Sequence, residues 1–391
     1  MTMLILLAGT FCIVASLLHI TSVFVVIARI HNDDLSAHVL PNDEGVTIIR
    51  PVCGIENFVE ETLRSTFRLD YPSYEILFCV ADAADPVIPL VRRLMAEHPR
   101  ITARLLTGND NISPNPKLNN VAKGWHAARH DWILMADSNV LMPRDYIQRV
   151  LATWRADTGL VCSPPIGCVP KGIWAELECA FLNTYQARWQ CFADSIGWGF
   201  AQGKTMLWRR DILEKAGGIE ALGAEAAEDA AATKLVRRLG LRVRLIDDPF
   251  RQPLGVRSAA GIWGRQIRWA RLRRDTFKLL FLPEILAGSV LPIAACGVVA
   301  AAVGWPVASS TVAFAVAWYA FEALLAYAAG WHLSRWSPVL WMIRDLLLPV
   351  LWITSWVGNS FEWRGNTMRI ADPTVSHGCH RIATEISENS C

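Results

Sequence analysis

Hydrophobic residues are concentrated in two parts of the chain, one near each end. Residues 2–28 contain no charged side chain, and within residues 285–331 the only charged side chain is Glu322. A membrane-spanning helix needs about 20 apolar residues, so the first stretch can cross a bilayer once and the second can cross it twice. The pattern therefore excludes a wholly soluble protein and a disordered one.

The first hydrophobic stretch lacks the basic start and the small-residue cleavage site of a signal peptide, so we predict a retained anchor over residues 1–31. Arg29 and Arg50 are the first basic residues after it. The positive-inside rule therefore places the residues that follow in the cytoplasm. A multi-pass protein of a bacterial inner membrane, with its polar domain in the cytoplasm, is the predicted arrangement.

A C-terminal membrane region is predicted over residues 283–370, followed by a polar tail at 371–391. Its first stretch divides into two spans at Gly304-Trp305-Pro306. Residues 339–357 form a further apolar stretch that contains Arg344 and Asp345, which either pair within a helix bundle or mark a re-entrant or interfacial segment. We favour an interfacial segment, because a full crossing would place Arg364 and Arg369 outside.

Between the membrane regions, residues 32–282 alternate short β-rich apolar runs with helical patterns. This alternation predicts an α/β domain with a mostly parallel sheet. Ligands bind such sheets at the carboxyl ends of the strands. Five strands are predicted, at residues 45–52, 74–81, 101–106, 132–136 and 159–162.

Composition adds two exclusions to this picture. The chain of 391 residues is 52% hydrophobic and 19% charged, with 38 Lys and Arg against 36 Asp and Glu. A net charge of +2 argues against binding of nucleic acid. The ten cysteines form no C-x-x-C pair and have no clustered histidines, which favours small buried side chains in a reducing compartment over disulfides or a metal site.

Acidic residues follow two of the predicted strands, Asp82 after 74–81 and Asp137 after 132–136. A carboxylate in this position can bind a ribose or hold a hard divalent cation that bridges diphosphate oxygens. Each aspartate alone is more often a turn former or a helix cap, and the pair on neighbouring strands is the stronger signal. Between them, Lys117 within Asn115-Pro116-Lys117-Leu118-Asn119-Asn120 supplies a cation for a diphosphate, or belongs to a capped turn before a helix.

Two later segments carry further candidate chemistry. Ala227-Glu228-Asp229 precedes a helical pattern, where acids also serve as caps. Arg265, Arg268 and Trp269 begin a basic segment that continues to Lys278. Such a segment suits an anionic membrane surface, but Trp269 beside Arg268 could also stack on a sugar while the arginine faces a leaving phosphate.

Together these residues resemble a known signature. Asp82, Asp137, Asp229 and the pentad Arg265-x-x-Arg268-Trp269, in this order and between membrane segments, resemble inverting family 2 glycosyltransferases and their relatives. Shorter phrases extend the resemblance over nearly the whole chain to the ceramide glucosyltransferases, among them Leu69-Asp70-Tyr71-Pro72 and Ala136-Asp137-Ser138. The resemblance implies a glycosyltransferase A-type nucleotide-sugar-binding domain with a mostly parallel mixed sheet, plus transmembrane helices at both ends.

The resemblance also implies a role for each matching residue. Asp82 would help to hold the nucleotide, Asp137 would bind Mg²⁺ or Mn²⁺ on the diphosphate of a UDP-sugar, and Asp229 would be the general base. The pentad residues Arg265, Arg268 and Trp269 would bind the leaving diphosphate and the acceptor. An inverting transfer needs only one such base.

Two positions depart from the family pattern. Asn139 stands where many relatives have the second acid of Asp-x-Asp, so the metal would rest on Asp137 and the diphosphate itself. Gln186 lies in the region where vertebrate ceramide enzymes have a histidine, and it cannot titrate. Segment 174–199 is either the lip of an acceptor site or an amphipathic core helix.

The function expected from these features is transfer of glucose from UDP-glucose to the primary hydroxyl of ceramide at the cytoplasmic membrane face. Alternatives are another lipid acceptor, such as a hopanoid or diacylglycerol, or another sugar, such as galactose or N-acetylglucosamine. A polysaccharide synthase is less favoured, because three or four crossings are few for a polymer channel. A scaffold or lipid transporter would not need the acids at the strand ends.

Overall fold

The computed structural model describes residues 2–32 and 44–358, and the backbone of two further short strands. Arg364 and the predicted tail at 371–391 lie outside the described residues. The strands are β1 (Val46–Val52), β2 (Tyr74–Val80), β3 (Thr102–Thr107), β4 (Trp132–Ala136), β5 (Thr158–Cys162), β6 (Ile166–Lys171), β7 (Thr205–Arg209), β8 (Arg242–Leu245), β9 (Arg251–Val256), β10 (Ser360–Trp363) and β11 (Asn366–Arg369).

Seven of these strands form one sheet in the order β3-β2-β1-β4-β7-β5-β8. All five predicted strands are present, and the α/β prediction is confirmed. Strands β1 to β4 run parallel, whereas β7 is antiparallel to both of its neighbours, β4 and β5. The sheet is therefore mostly parallel and mixed, as the resemblance implied. Strands β6 and β9 form a separate parallel pair.

Helices cover both faces of the sheet and form the membrane region. They are α1 (Thr2–Ile30), α2 (Val59–Ser65), α3 (Ile88–Glu97), α4 (Pro116–Ala127), α5 (Tyr146–Ala152), α6 (Ile173–Phe181), α7 (Arg188–Ser195), α8 (Arg210–Lys215), α9 (Glu228–Arg238), α10 (Ala259–Thr276), α11 (Lys278–Phe281), α12 (Val290–Ala302), α13 (Val307–Ala328) and α14 (Ser337–Ser355).

Adjacent residues of β1 point to opposite faces, as the period of a strand requires. Ile49 packs with Trp125 of α4 in one buried cluster, whereas Ile48 packs with Tyr146 of α5 in another. The strand is buried along its whole length, which is typical of a central parallel strand with helices on both sides.

Within the described residues, three helices are long and apolar enough to cross a membrane, namely α1, α13 and α14. The segment Lys278–Leu286 and α12 are long and apolar enough only when taken together, with a bend of 46° between them. Counting this pair as one span gives four possible spans among the described residues. The predicted break at Gly304-Trp305-Pro306 is confirmed, because α12 ends at Ala302 and α13 begins at Val307. Helices at both ends of the chain thus fit the predicted membrane regions.

Segment 174–199 is largely helical, and its interior belongs to a core. Helix α6 continues through a π-helical turn, Leu182–Ala187, into α7. Phe181 and Cys191 lie in one buried cluster with Trp318 of α13 and Leu348 of α14. The segment is a core helix, as one interpretation predicted. It packs with the membrane helices, and α7 also contacts β8 at the edge of the main sheet, where Asp194 Oδ2 accepts the Leu245 amide over 3.1 Å.

Arg344 and Asp345 pair within the helix bundle, as one of the two alternatives predicted. The Arg344 guanidinium donates to both carboxylate oxygens of Glu322 over 2.9 and 2.7 Å, and to Asp345 Oδ1 over 2.8 Å. All three side chains are buried. Each carboxylate thereby receives a cation, which offsets the cost of placing charge in an apolar region.

The segments at both ends of α14 contact helices that precede the C-terminal membrane region, namely α6 and α10. Before its first turn, His332 Nε2 lies 3.6 Å from Glu176 of α6. Beyond its last turn, Arg271 of α10 donates to the carbonyl of Val357 over 2.6 Å. An interfacial helix would make such contacts, although its length and composition also allow a crossing. The interfacial position therefore stays a prediction.

Candidate functional site

Antiparallel pairing between β4 and β7 sets the centre of the site. Ala136 at the end of β4 pairs with Thr205 at the start of β7, so Asp137 and Lys204 lie side by side. The Asp137 amide donates to the Lys204 carbonyl over 3.0 Å. This edge is where the carboxyl ends of β1, β2 and β4 meet, and ligands bind parallel sheets at that edge.

Lys117 reaches this edge from the first turn of α4. The Asn115 side chain accepts the amides of Lys117 and Leu118 over 2.9 and 3.2 Å, so the capped turn predicted from the sequence is present. The Lys117 Nζ lies 2.7 Å from Asp137 Oδ1 and 2.7 Å from Glu228 Oε1, and it donates to the Gly203 carbonyl over 2.6 Å. The two alternatives predicted for this segment, a capped turn and a cation for a diphosphate, are therefore compatible, because the cap orients the lysine side chain.

Both oxygens of Asp137 face an ammonium group. The second oxygen, Oδ2, accepts from Lys204 Nζ over 2.9 Å, and the same ammonium donates to Asn139 Oδ1 over 3.1 Å. Burial would raise the pKa of Asp137, but Lys117 and Lys204 outweigh it and hold the pKa well below its ordinary value. Asp137 is therefore ionised at neutral pH.

Asp229 lies in the first turn of α9, next to this cluster. Its Oδ2 accepts the Gly203 amide over 3.2 Å, and its Oδ1 accepts the Ala230 amide over 2.8 Å. Burial and the neighbouring Glu228 carboxylate raise the pKa of Asp229 to about 6, against the opposing effect of Lys117. A carboxylate with this pKa is a stronger base than an ordinary aspartate and is still deprotonated at neutral pH.

Glu228 completes the cluster on the side away from Asp137. Its Oε2 accepts from Asn115 Nδ2 over 2.8 Å, and its side chain is 8% exposed. Lys117 therefore joins two carboxylates from different elements, one after β4 and one at the start of α9. The ammonium keeps these like charges at fixed positions.

Asp82 lies in an exposed turn after β2, at the same edge of the sheet. Its Oδ1 accepts the Ala84 amide over 2.9 Å, the geometry of an Asx turn. Asp85 accepts the Gly54 amide over 3.0 Å, which joins this turn to the loop after β1. The structure thus places Asp82 at the predicted edge, in a turn of its own.

The pentad lies on α10, against α6 and β9. Arg265 pairs with Glu178 of α6, whose side chain is fully buried and also lies 3.1 Å from Arg257 Nε. Trp269 packs against the cluster that contains Cys179 of α6 and Leu254 of β9. Arg265 therefore contacts α6 through its ion pair with Glu178, and Trp269 contacts α6 through apolar packing.

The loop after β1 connects the pentad region to the sheet edge. Asn57 Nδ2 donates to the carbonyls of Leu254 and Val256 over 3.1 and 3.0 Å. Burial lowers the pKa of Arg265, and the Glu56 carboxylate of the same loop opposes the shift. The half-buried Arg268 follows on the next turn of α10. The pentad thus lies beside the β1 edge, and the contacts of Arg265 and Trp269 with α6 and β9 are separate from those of the Lys117 cluster.

Other basic residues of α10 are used within the fold. Arg273 donates to both carboxylate oxygens of Glu284, over 2.8–3.2 Å. Arg271 and Arg274 donate to the carbonyls of Val357 and Ser355 at the end of α14. These three arginines therefore stabilise helix packing, and the interpretation of the segment as a free basic strip on a lipid surface does not hold for them.

Gln186 lies in the π-helical turn and faces the pentad helix. Its Nε2 donates to Gln266 Oε1 over 2.8 Å. A small cavity beside this pair is lined by Tyr185, Arg273 and Trp352, among other residues. The position at which vertebrate relatives were expected to carry a histidine thus borders α10.

The donor set at Asp137 fits a hard divalent cation. The Lys204 ammonium lies between a carboxylate oxygen of Asp137 and the amide oxygen of Asn139, so a positive charge already stands between two oxygen donors. Oxygen ligands of this kind suit Mg²⁺ and Mn²⁺. Among the described residues no group of three or more His, Cys, Asp or Glu could hold a metal, so a diphosphate and water would have to complete the coordination.

Two residues of this cluster were not among the predicted site residues. Glu228 was recognised only as an acid at a helix start. Lys204 was missed because it precedes β7, a short antiparallel strand that was not predicted. The apolar run Met206-Leu207-Trp208 after Lys204 is the signal that could have indicated the strand.

Comparisons with known proteins agree with this architecture. A family model described as glycosyl transferase family 21 matches residues 11–375. Ceramide glucosyltransferase 1 of Caenorhabditis elegans is 26% identical over 377 residues, covering 94% of this chain and 80% of the relative. The ceramide glucosyltransferase of Komagataella phaffii is 30% identical over 292 residues, covering 60% of this chain and 57% of the relative.

Among solved structures, the mannosyltransferase PcManGT from Pyrobaculum calidifontis, in complex with GDP-Man and Mn²⁺, aligns with a TM-score of 0.49 and 19% identity. The alignment covers 90% of this chain and 99% of that one.

Proposed function

This chain belongs to glycosyl transferase family 21, and from that premise we propose that it transfers glucose from UDP-glucose to the primary hydroxyl of ceramide. The product is glucosylceramide, formed with inversion at the anomeric carbon. The ceramide glucosyltransferase names of its relatives support the acceptor and the sugar. We place the reaction at the cytoplasmic face of a bacterial inner membrane.

The observation that carries this proposal is the contact of Lys117 with Asp137 and Glu228, beside Asp229. An inverting transfer is a single displacement that needs one base and positive charge at the leaving group. The sheet edge supplies both, because Asp229 lies near Lys117, and Lys117 and Lys204 both contact Asp137.

In the proposed reaction Asp229 takes the proton of the acceptor hydroxyl. The hydroxyl oxygen then bonds to the anomeric carbon as the bond from that carbon to the diphosphate oxygen breaks. Lys117 and Lys204 stabilise the negative charge that develops on the diphosphate. A divalent cation at Asp137, when bound, would neutralise further charge on the same group.

The remaining predicted residues keep their proposed roles. Asp82 would bind the nucleotide from its exposed turn. Arg268 and Trp269 would bind the diphosphate and the acceptor from α10. Arg265 can reach a diphosphate only by exchanging its partner Glu178.

Attachment of the domain to the membrane helices supports a lipid acceptor. Arg29, at the end of α1, lies 2.8 Å from Asp194 of α7 and 3.2 Å from Asp247 after β8. It also donates to the Leu245 carbonyl over 2.7 Å. These bonds hold the sheet against the end of a membrane helix, and an acceptor with two hydrocarbon chains stays in the bilayer.

An acceptor screen tests the proposal. Membranes that contain the protein are incubated with labelled UDP-glucose and ceramide, and the glycolipid is analysed for its anomeric configuration. We expect β-glucosylceramide. Parallel reactions use diacylglycerol, a hopanoid, UDP-galactose and UDP-N-acetylglucosamine, and a product formed only with one of these would replace ceramide or glucose in the proposal. An α-linked product would contradict inversion.

A further inference from the structure

Lys204 occupies a position that the proposed reaction assigns to a metal ion. Its ammonium lies 2.9 Å from Asp137 Oδ2 and 3.1 Å from Asn139 Oδ1. The pairing of β4 with β7 fixes the two backbones next to each other, so the side chain starts from a defined point. Only 18% of the Lys204 side chain is exposed, and its charge therefore faces the site and not the solvent.

A divalent cation and this ammonium cannot share the same two oxygen atoms. Like charges at contact distance repel strongly in a partly buried site. We propose that Lys204 is a built-in counter-cation, which occupies the cation position between Asp137 and Asn139 in the free protein and leaves it when a divalent cation binds together with the donor diphosphate. The inference rests on the proposed function, because it takes a nucleoside diphosphate sugar as the donor.

Lys117 and Lys204 differ in how they are held. Lys117 contacts Asp137, Glu228 and the Gly203 carbonyl, three groups on three sides. Lys204 bonds to the two oxygens that a metal would need, and its flexible stem allows the ammonium to swing away. Lys117 therefore stays on Asp137 Oδ1 while Lys204 is exchanged at Oδ2.

The exchange couples binding of the metal to binding of the nucleotide. Without a diphosphate, a metal ion must displace Lys204 and leave its ammonium beside a second cation. With a diphosphate, the released ammonium gains new acceptor oxygens. The metal and the nucleotide should therefore strengthen each other's binding, and by the same factor in both directions.

Binding of Mn²⁺ to the purified full-length protein, measured by electron paramagnetic resonance without and with UDP, tests this inference. In Lys204→Met we expect the Mn²⁺ dissociation constant without UDP to fall about tenfold, since a competing ion pair is lost. The strengthening of Mn²⁺ binding by UDP should shrink in the same variant. Lys204→Gln, which also lacks the charge, should behave likewise if Lys204→Met does not fold.

Three further proteins serve as controls. Lys215→Met removes a lysine from α8 that pairs with Asp211 at the surface, and it should bind Mn²⁺ as the wild type does. Lys204→Arg keeps the positive charge and should keep the weak binding. The double variant Asp137→Asn/Lys204→Met also removes the carboxylate and should lose the tighter Mn²⁺ binding expected of Lys204→Met.

Unchanged or weaker Mn²⁺ binding in both neutral Lys204 variants would overturn the inference. Transfer of glucose by the wild type is assayed separately. If the wild type makes glucosylceramide while the neutral variants show no gain in Mn²⁺ binding, the inference alone fails. If the wild type neither binds UDP nor transfers sugar, the proposed function fails.

Discussion

The amide nitrogen of Gly203 lies 3.2 Å from Asp229 Oδ2, and this bond fixes the candidate base against the turn that precedes β7. The carbonyl of the same glycine accepts from Lys117 over 2.6 Å. One peptide segment thus positions both the base and the cation.

Replacement of Gly203 should therefore change the site more than the fold. In Gly203→Ala the new Cβ would lie 2.8 Å from Glu228 Oε1 and 3.1 Å from Lys117 Nζ. Both atoms end flexible side chains, so they can move away and break their contact. We expect a loss of glucose transfer of about 10–100-fold, in line with misplacement of a positioning group.

Thermal unfolding in detergent separates the two effects. Gly203→Ala should keep a melting temperature close to that of the wild type. Gly264→Ala, on the exposed face of α10 where nothing lies near the added Cβ, provides the comparison and should be neutral or slightly stabilising. Wild-type transfer by Gly203→Ala would show that the Lys117 contacts are not needed.

Asp229→Asn should abolish transfer and leave UDP binding intact, because it removes the base but not the charges near Asp137. Loss of a general base costs about 10²–10⁴-fold in rate. The same variant should unfold at a higher temperature at pH 8. The raised pKa of Asp229, about 6, means that ionisation disfavours folding, and removing that carboxylate should recover roughly 1–2 kcal/mol.

The sign of this stability effect can be checked at low pH. Below about pH 3 the aspartate is protonated in both the folded and the unfolded state, so the advantage of Asn should shrink as the pH falls from 6 and vanish there. Asp211→Asn on α8 is the matched control, with an aspartate that pairs with Arg209 at the surface. Transfer by Asp229→Asn within tenfold of the wild-type rate would remove Asp229 from the role of base.

The pH dependence of transfer should follow the ionisation of Asp229. We expect kcat/KM to rise about tenfold per pH unit at low pH and to level off above a pKa of about 6. Because the Glu228 carboxylate contributes to the raised pKa, Glu228→Gln should move the rise to lower pH. A rise at the same or a higher pH in Glu228→Gln would contradict this account.

Loss of the cation in the buried charge cluster should destabilise the helix bundle. Arg344→Met leaves Glu322 and Asp345 buried without their shared partner, which typically costs about 3–5 kcal/mol. Thermal unfolding in detergent measures the loss. The double variant Arg344→Met/Glu322→Gln should recover part of it, whereas Arg335→Met at the surface should change little.

The contacts at the two ends of α14 predict that both ends lie on the side of the membrane that holds the α/β domain. Single cysteines at Leu333 and Val357, both exposed, should react with an impermeant thiol reagent from the side of the α/β domain. A cysteine at the exposed Trp305, in the turn between α12 and α13, should react from the other side. Cys53, Cys379 and Cys391 are first replaced by Ser, and the protein with these three changes alone serves as the blank for the remaining cysteines. Labelling of positions 333 and 357 from opposite sides would show that α14 crosses.

The sequence was sufficient where local patterns dominate. The parallel strands were predicted because buried strands are short, apolar and separated by helical periods, and the acids at their ends follow from that assignment. Asp137 and Lys117, both predicted to lie near a donor diphosphate, are 2.7 Å apart.

The sequence was insufficient where the partner is distant along the chain. Lys204 lies beside Asp137 only because β7 runs antiparallel between β4 and β5, a pairing that no local pattern specifies. Likewise, the arginines of α10 suggested a free basic face, but Arg274 meets the carbonyl of Ser355, 81 residues further on. Tertiary packing decides such contacts.

The packing of α6 and α7 among the membrane helices has a consequence for biosynthesis. Arg344 donates to the carbonyl of Ala180 at a separation of 164 residues, and Phe181 is covered by side chains of the C-terminal helices. When residues 173–195 leave the ribosome, these partners have not yet been made. The newly synthesised domain therefore exposes this apolar helical segment for a time. The packing of the segment is completed only when the last membrane helices have been made and inserted.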